Sequence, residues 1–246
     1  MLTSKDRISS SCADELRATL SDVALPGDEL YEKGCRVWNG AVRRHPAIIA
    51  FCGQPEDVQA AVRAARRHGL PLSVRGGGHD WAGRALRDDG LVVDLTGMRD
   101  VAVDAQALVA TVGRGARAKD VAIAAGAHNL VAAMGNCGTV GMAGLSLGGG
   151  YGPLSGTCGL AADNLLGAEI VLADGRRVTT GPNAERPDFV PDLIGIAFGA
   201  FADPSMSRPT LSVWETTRHP WVTFDHERDH FVHQPELIED PVTARR

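Results

Sequence analysis

The chain has 246 residues and a mass of 25.9 kDa, enough for one large domain or two small ones, each with its own core. Hydrophobic residues make up 44% and charged ones 22%, which excludes wholesale disorder, and no run approaches the ~18 apolar residues of a membrane span. The net charge of -5 leaves no basic excess to neutralise phosphates, which argues against a nucleic-acid surface. Met1 to Ser11 mixes Lys5, Asp6 and Arg7 with serines and has no apolar h-region, so no secretory leader is expected there. The cysteines (Cys12, Cys35, Cys52, Cys137, Cys158) are scattered and form no C-x-x-C pair. Neither a disulfide scaffold nor a structural zinc is expected, and a reducing cytoplasm is the default compartment.

Three stretches follow one another: an N-terminal segment (1–40), a glycine-rich domain (41–181) and a tail (182–246). Ala47 to Cys52 is a short apolar strand. Pro55, with Glu56 and Asp57 behind it, opens a helix whose Val58, Ala61, Val62 and Ala65 form an apolar stripe. Gly69 caps that helix and Pro71 prevents its continuation. Leu72 to Val74 reads as a buried strand parallel to the first, because a helix crosses between them. Leu91 to Leu95, Val101 to Val103 and Leu108 to Val112 are further strands, and Ala116 to Ala125 is a helix. Ile170 to Ala173 and Arg177 to Thr180 flank Asp174-Gly175, a hairpin signal of the type I′ kind. The expected class is α+β.

Glycine is the outlying residue type, and 27 of its 29 occurrences fall by Gly181. Arg75-Gly76-Gly77-Gly78-His79-Asp80 follows a strand directly, and consecutive glycines let backbone N–H groups converge on one concave spot. The stretch Gly135 to Gly152 is longer and mixes glycine with Val140, Met142, Leu145 and Leu147. So much bare backbone in apolar company suits a large planar ring with a pyrophosphate. It does not match the G-x-G-x-x-G pattern of a Rossmann site.

Taken in order, P-A-I-I-A-F-C with E-D-V-Q-A-A-V, L-P-L-S-V-R-G-G-G-H-D, G-L-V-V-D-L, G-N-C-G-T-V-G, L-G-G-G-Y-G, G-L-A-A-D-N and A-D-G-R form a specific series. From about Tyr31 to Thr180 the chain resembles the FAD-binding (PCMH-type) domain of FAD-linked oxidoreductases of the vanillyl-alcohol-oxidase type. Within these it is similar to the berberine-bridge-enzyme-like branch, which includes sugar and oligosaccharide oxidases. The resemblance implies a domain of two α/β subdomains holding FAD. It implies that His79 bonds the flavin 8α carbon and that Cys137 aligns with the cysteine bonded to flavin C6 in members with both bonds. Gly138 stands where those members usually have proline. The implied cofactor-binding set is Arg75, Gly76, Gly77, Gly78, His79, Asp80, Cys137, Gly138, Thr139, Val140, Gly141, Gly144, Gly148, Gly149, Gly150 and Tyr151, with Ile170 and Val171 near the adenine end. Tyr151 falls where some members place a tyrosine in proton chemistry. A neutral imidazole and a thiolate are the residue types that attachment to an electron-poor ring requires.

Two other motifs compete. Gly144-Leu-Ser146-Leu-Gly148 fits the G-x-S-x-G elbow of serine hydrolases, but an elbow must follow a buried strand and the preceding residues are poor strand material. His226-Glu227-Arg228-Asp229-His230, with His233, fits H-E-x-x-H, yet its two intervening residues are charged and Pro220 and Pro235 bound it, so it reads as a solvated turn and no metal is expected. The tail holds 8 of the 13 prolines, no lysine, and 11 acidic against 6 basic residues. Its candidate elements are Leu193 to Phe201 and Pro220 to His233. Complete members of the resembled family carry a substrate domain there that this tail does not match, as a divergent, truncated or out-of-frame sequence would read. The expected activity is oxidation of an alcohol-bearing small molecule, such as a sugar or bulky natural product, with oxygen as acceptor. The alternative is a flavin holder without turnover, self-associating through its uncovered flavin face.

Overall fold

The computed structural model describes residues 4–181 and two two-residue strands, Leu211–Ser212 and Asp229–His230. These two strands pair in parallel in a separate unit. The candidate tail elements Leu193 to Phe201 and Pro220 to His233 lie outside the described residues apart from the backbone of that second strand, and so does the His226-Glu227-Arg228-Asp229-His230 turn as a constellation.

In chain order the main unit contains α1 (Ser4–Arg17), β1 (Asp22–Ala24), α2 (Glu29–Gly34), β2 (Ile48–Phe51), α3 (Pro55–His68), β3 (Leu72–Arg75) and β4 (Leu91–Asp94). There follow β5 (Val101–Asp104), β6 (Val109–Val112), α4 (Ala118–Gly126), α5 (Met142–Leu147), α6 (Ser155–Cys158), β7 (Ala168–Val171) and β8 (Arg177–Thr180). The mixed architecture matches the expected α+β class. Among the described residues no helix is long and apolar enough to cross a membrane.

The first sheet runs β1-β2-β4-β3, with β2, β4 and β3 parallel and β1 antiparallel at one edge. Strand residues alternate between its faces. Ile48, Ala50, Leu91 and Val93 pack under α1 and α3, while Ile49 and Val92 pack with Tyr31 of α2 on the other side. Each such fully buried aliphatic side chain is worth about 1.5–3 kcal/mol, so the layered core holds the strand ends rigidly. Cys12, Ala13 and Leu16 of α1 belong to this core, and β1 pairs with β2, so α1 and β1 pack as part of this layer.

Helix α3 follows its sequence signals closely. The Asp57 carboxylate accepts the backbone amides of Gly53 and Gln54, Pro55 occupies the first turn, and Gly69 closes the helix in the left-handed conformation at φ 65°. The buried stripe is Ala61, Ala64 and Ala65, with Val58 partly buried beside it. Val62 lies on the flank of that stripe.

Two expectations are corrected. Strand β3 is not buried: β4 inserts between it and β2, so β3 forms an edge with Ser73 inward and Val74 51% exposed. The β7–β8 hairpin does not turn through type I′, because that turn needs a positive φ at Asp174 and only Gly175 has one, at 80°. Leu172 N–H instead donates to the Arg176 carbonyl and Gly175 N–H to the Leu172 carbonyl, a three-residue loop with glycine in the left-handed position. The Gly175 carbonyl then accepts hydrogen bonds from Gln59 Nε2 at 2.7 Å and Arg63 Nη2 at 2.9 Å, which anchors the hairpin to α3.

A smaller cluster, Ala118, Val121 and Met142, joins α4 and α5 to the β5–β6 hairpin. Between these two bodies lie the glycine loops.

Candidate functional site

The first glycine loop leaves β3 at Arg75. The fully buried Asp94 carboxylate receives Arg75 Nη1 at 2.5 Å, and Arg75 Nη2 donates to the Arg36 carbonyl at 2.9 Å. Asp94 also accepts the Thr96 amide at 2.8 Å. A buried charge held by two partners fixes direction, so Arg75 acts as the rigid stem from which residues 76–80 project.

The second loop docks on the start of α4. Ala118 N–H donates to the Val140 carbonyl, Lys119 N–H to the Gly138 carbonyl, and Met142 N–H to the Ala116 carbonyl. The first N–H groups of α4, which have no partner inside the helix, are thereby satisfied by the loop. A Cβ on Gly138 would lie 3.2 Å from Lys119 Cβ, so this position is tight for a larger residue. Gly77 and Gly141 press backbone to backbone, which brings the two loops into direct contact.

That contact places the two sequence-predicted nucleophiles around one hydroxyl. His79 Nε2 and Thr139 Oγ1 share a hydrogen bond of 2.8 Å, and Cys137 Sγ lies 3.3 Å from the same oxygen. Val140 N–H donates to the Cys137 carbonyl at 3.1 Å, a tight turn that sets Cys137 and Thr139 on the same side. Burial, with the charge of Arg117 added, holds the His79 imidazole below its ordinary value, so it is neutral at neutral pH. Hydrogen bonds from the Thr139 side chain and from the amides of Thr139 and Val140 hold the exposed Cys137 thiol below its ordinary value.

Sequence reasoning missed two members of this site. The Trp38 ring stacks on His79 with centroids 5.5 Å apart and planes 24° apart, and its backbone N–H donates to the Gly78 carbonyl. The only advance signal was a tryptophan in a chain of 5% aromatics. Arg117 is the second. Its Nε is buried without a partner among the described residues, and its charge reaches His79.

The remaining predicted residues are placed as follows. Asp80 caps the turn after the loop through the Ala82 and Arg84 amides. Gly148, Gly149 and Gly150 end α5, the latter two at φ 92° and 76°. Tyr151 is 82% exposed, and its carbonyl lies beside Gly135, next to the Cys137 loop. Ile170 and Val171 lie on β7, which is tied to the connection between β6 and α4 through an ion pair between Glu169 and Arg114. Among the described residues, neither Ile170 nor Val171 is hydrogen-bonded to His79 or Cys137. Ser146 sits within α5, behind Gly141 and the loop that precedes it, with no strand leading into it. The strand-to-helix elbow of a serine hydrolase is therefore absent.

The arrangement fits a large anionic cofactor with an electrophilic ring. Gly144 has an open face with nothing within 4 Å, and Gly76 meets only the Arg114 carbonyl at 3.9 Å. Arg117 supplies a buried donor without a partner. Imidazole and thiol, both held toward their nucleophilic forms, stand at the junction.

Comparison with known proteins agrees. A family model described as FAD binding domain matches residues 46–181. Among curated relatives, the (R)-6-hydroxynicotine oxidase of Paenarthrobacter nicotinovorans is 37% identical over 167 residues, covering 68% of this chain and 36% of that protein. The solved structure of BBE-like 1 from Physcomitrella patens superposes with a TM-score of 0.67 at 33% identity, over 72% of this chain and 38% of that one. Glucooligosaccharide oxidase from Acremonium strictum, whose structure is described with a 6-S-cysteinyl, 8α-N1-histidyl FAD, gives a TM-score of 0.63 at 32% identity over 68% of this chain and 36% of that one. The chain spans about a third of the length of the curated relatives it matches, from 31% to 37% for the first three. With a family match across more than half of its residues and superposition on these oxidases, the chain belongs to the FAD-binding-domain family of FAD-linked oxidoreductases and has its vanillyl-alcohol-oxidase-type fold.

Proposed function

We propose that this chain holds FAD through both His79 and Cys137 and forms the flavin-binding part of an oxidase acting on an alcohol-bearing small molecule. The observation that carries the reading is the convergence of imidazole and thiol on the Thr139 hydroxyl, from loops 60 residues apart. The histidyl and cysteinyl bonds in the name of the Acremonium structure support the same pair here. The sugar-oligomer oxidases among the solved structures support the substrate class.

When bound, the flavin supplies two-electron acceptance and reoxidation by oxygen. The chain's own residues hold it. Gly76 and Gly144 leave backbone open for close approach, Arg117 offers an anionic group a half-buried cation whose Nε has no partner among the described residues, and Arg75 with Asp94 keeps the first loop in place. Tyr151 is proposed to move a proton near the substrate, from its position beside the Cys137 loop. Protein purified after expression with ample riboflavin should stay yellow after acid precipitation, and should consume oxygen with a sugar or bulky alcohol. Colourless protein that also fails to bind added FAD overturns the reading.

A second reading, a flavin holder without turnover, is favoured by one observation: Leu147 at the end of α5 and Tyr151 after it are 76% and 82% exposed. Such an uncovered apolar surface also favours self-association. Yellow protein that sediments as a dimer and consumes no oxygen across a substrate panel selects this reading over the first.

A further inference from the structure

We propose that Thr139 is a positioning residue for both tethers: its single hydroxyl presents His79 through Nδ1 and couples the proton on the imidazole to the proton on the Cys137 thiol. The inference deepens the covalent FAD reading and rests on it.

A hydroxyl has one proton to donate and two lone pairs. Thr139 Oγ1 lies between His79 Nε2 at 2.8 Å and Cys137 Sγ at 3.3 Å, so it can donate to only one of them. Two proton arrangements satisfy the chain. In the first, Sγ–H donates to Oγ1 and Oγ1–H donates to Nε2, which leaves the imidazole proton on Nδ1. In the second, Nε2–H donates to Oγ1 and Oγ1–H donates to a thiolate. The second arrangement leaves Nδ1 with a bare lone pair and the sulfur ionised, so both groups become nucleophilic together. Passing from the first to the second moves the thiol proton to Oγ1, the Oγ1 proton to Nε2 and the Nδ1 proton to water, a net release of one proton. No electrons are exchanged.

The surroundings restrict the imidazole further. Trp38 covers one face of the ring, and Thr139 occupies the Nε2 edge. The edge left to meet a ligand is the one carrying Nδ1. Thr139 itself has little freedom, because its carbonyl lies against Gly77 and its turn is closed by the hydrogen bond from Val140 N–H to the Cys137 carbonyl.

The test uses the full chain as wild type, Thr139→Val, Thr139→Ser and His79→Ala. Peptide mass mapping after acid precipitation reads the flavin carried at His79 and at Cys137 as a function of time after FAD is added. Chain purified from riboflavin-starved cells gives the rate of iodoacetamide alkylation at Cys137. Thr139→Val, which matches the shape without the hydroxyl, should slow tethering at both sites and alkylation of Cys137 about tenfold, the scale of one lost hydrogen bond. Thr139→Ser should restore both, which a merely structural role for the threonine methyl would not do. His79→Ala should change the Cys137 alkylation rate, and this dependence should vanish in the Thr139→Val background.

The outcomes separate the two levels of the argument. Wild-type chain that tethers FAD while Thr139→Val tethers it equally fast overturns the role of Thr139 and leaves the flavin reading intact. Wild-type chain that never carries covalent flavin overturns the covalent reading, and alkylation still decides the coupling. Cys137 alkylation insensitive to both Thr139→Val and His79→Ala overturns it. Should Thr139→Val not fold, the His79→Ala alkylation rate decides alone.

Discussion

The bare backbone of Gly77 lies against that of Gly141, so that a Cβ on Gly77 would collide with the Gly141 amide and come within 2.9 Å of both Gly141 Cα and the Thr139 carbonyl oxygen. Every neighbour here is backbone, so none can rotate away. Gly77→Ala is expected to destabilise the chain by about 1–3 kcal/mol in urea unfolding and to weaken flavin retention, because it pushes the loop of His79 away from that of Cys137. Gly144 has an open face and sits within α5. Gly144→Ala should therefore leave flavin-free stability unchanged or raise it by about 0.5–1 kcal/mol, while weakening FAD binding if the cofactor lies over that face.

The Arg75–Asp94 pair is fully buried on the carboxylate side. Removing one partner of such a pair leaves an uncompensated buried charge. Asp94→Ala is expected to cost about 3–5 kcal/mol, read as a lower urea midpoint. Arg75→Lys should recover only part of the wild-type stability, because an ammonium cannot reach Asp94 and the Arg36 carbonyl with the same fork.

Acid should weaken the fold through carboxylates that the folded chain keeps ionised. Asp120 is held below its ordinary value chiefly by Arg99, Glu15 chiefly by His68, and Asp88 chiefly by Arg44. As pH falls, the unfolded chain binds these protons first, so the stabilisation is complete above about pH 4.5 and is lost as pH drops through the lower values of the folded chain. Each partly exposed pair contributes less than about 1 kcal/mol. Urea midpoints measured at pH 7, 5 and 3 should be similar for the first two and lower for the third. Arg99→Met should reduce that acid-dependent loss.

The hairpin anchor gives a local test. Gly175 is left-handed, and a Cβ there would lie 2.5 Å from Arg63 Cγ. Gly175→Ala is expected to cost about 1–3 kcal/mol and to speed amide exchange in β7 and β8 before the rest of the domain.

How much of this was legible in the chain differs from element to element. Helix α3 was readable because its cap, first-turn proline, apolar stripe and terminal glycine all act within one short window. Burial of β3 was not, since β4 arrives later in the chain and takes the place beside β2. The turn at Asp174-Gly175 looked like a two-residue type I′ turn because the dipeptide is the same; hydrogen bonds on either side decide the loop length. His79 and Cys137 were legible from their motifs, but Trp38 lies in a stretch without a motif. Glycine was the least transparent. Gly77 and Gly141 serve contact between loops, whereas Gly144 leaves an open face, and the two uses look alike in sequence.

The central claim is that imidazole and thiol from two loops fasten one flavin, and the mass of the acid-denatured full chain tests it most directly. Wild type should be heavier than its sequence by one FAD, with flavin mapped to both the His79 and the Cys137 peptides. His79→Ala and Cys137→Ala should each retain flavin through the other residue, and the double variant should lose all of it on denaturation. Flavin that stays attached in the double variant, or a wild-type mass equal to the bare polypeptide after reconstitution with excess FAD, would contradict it.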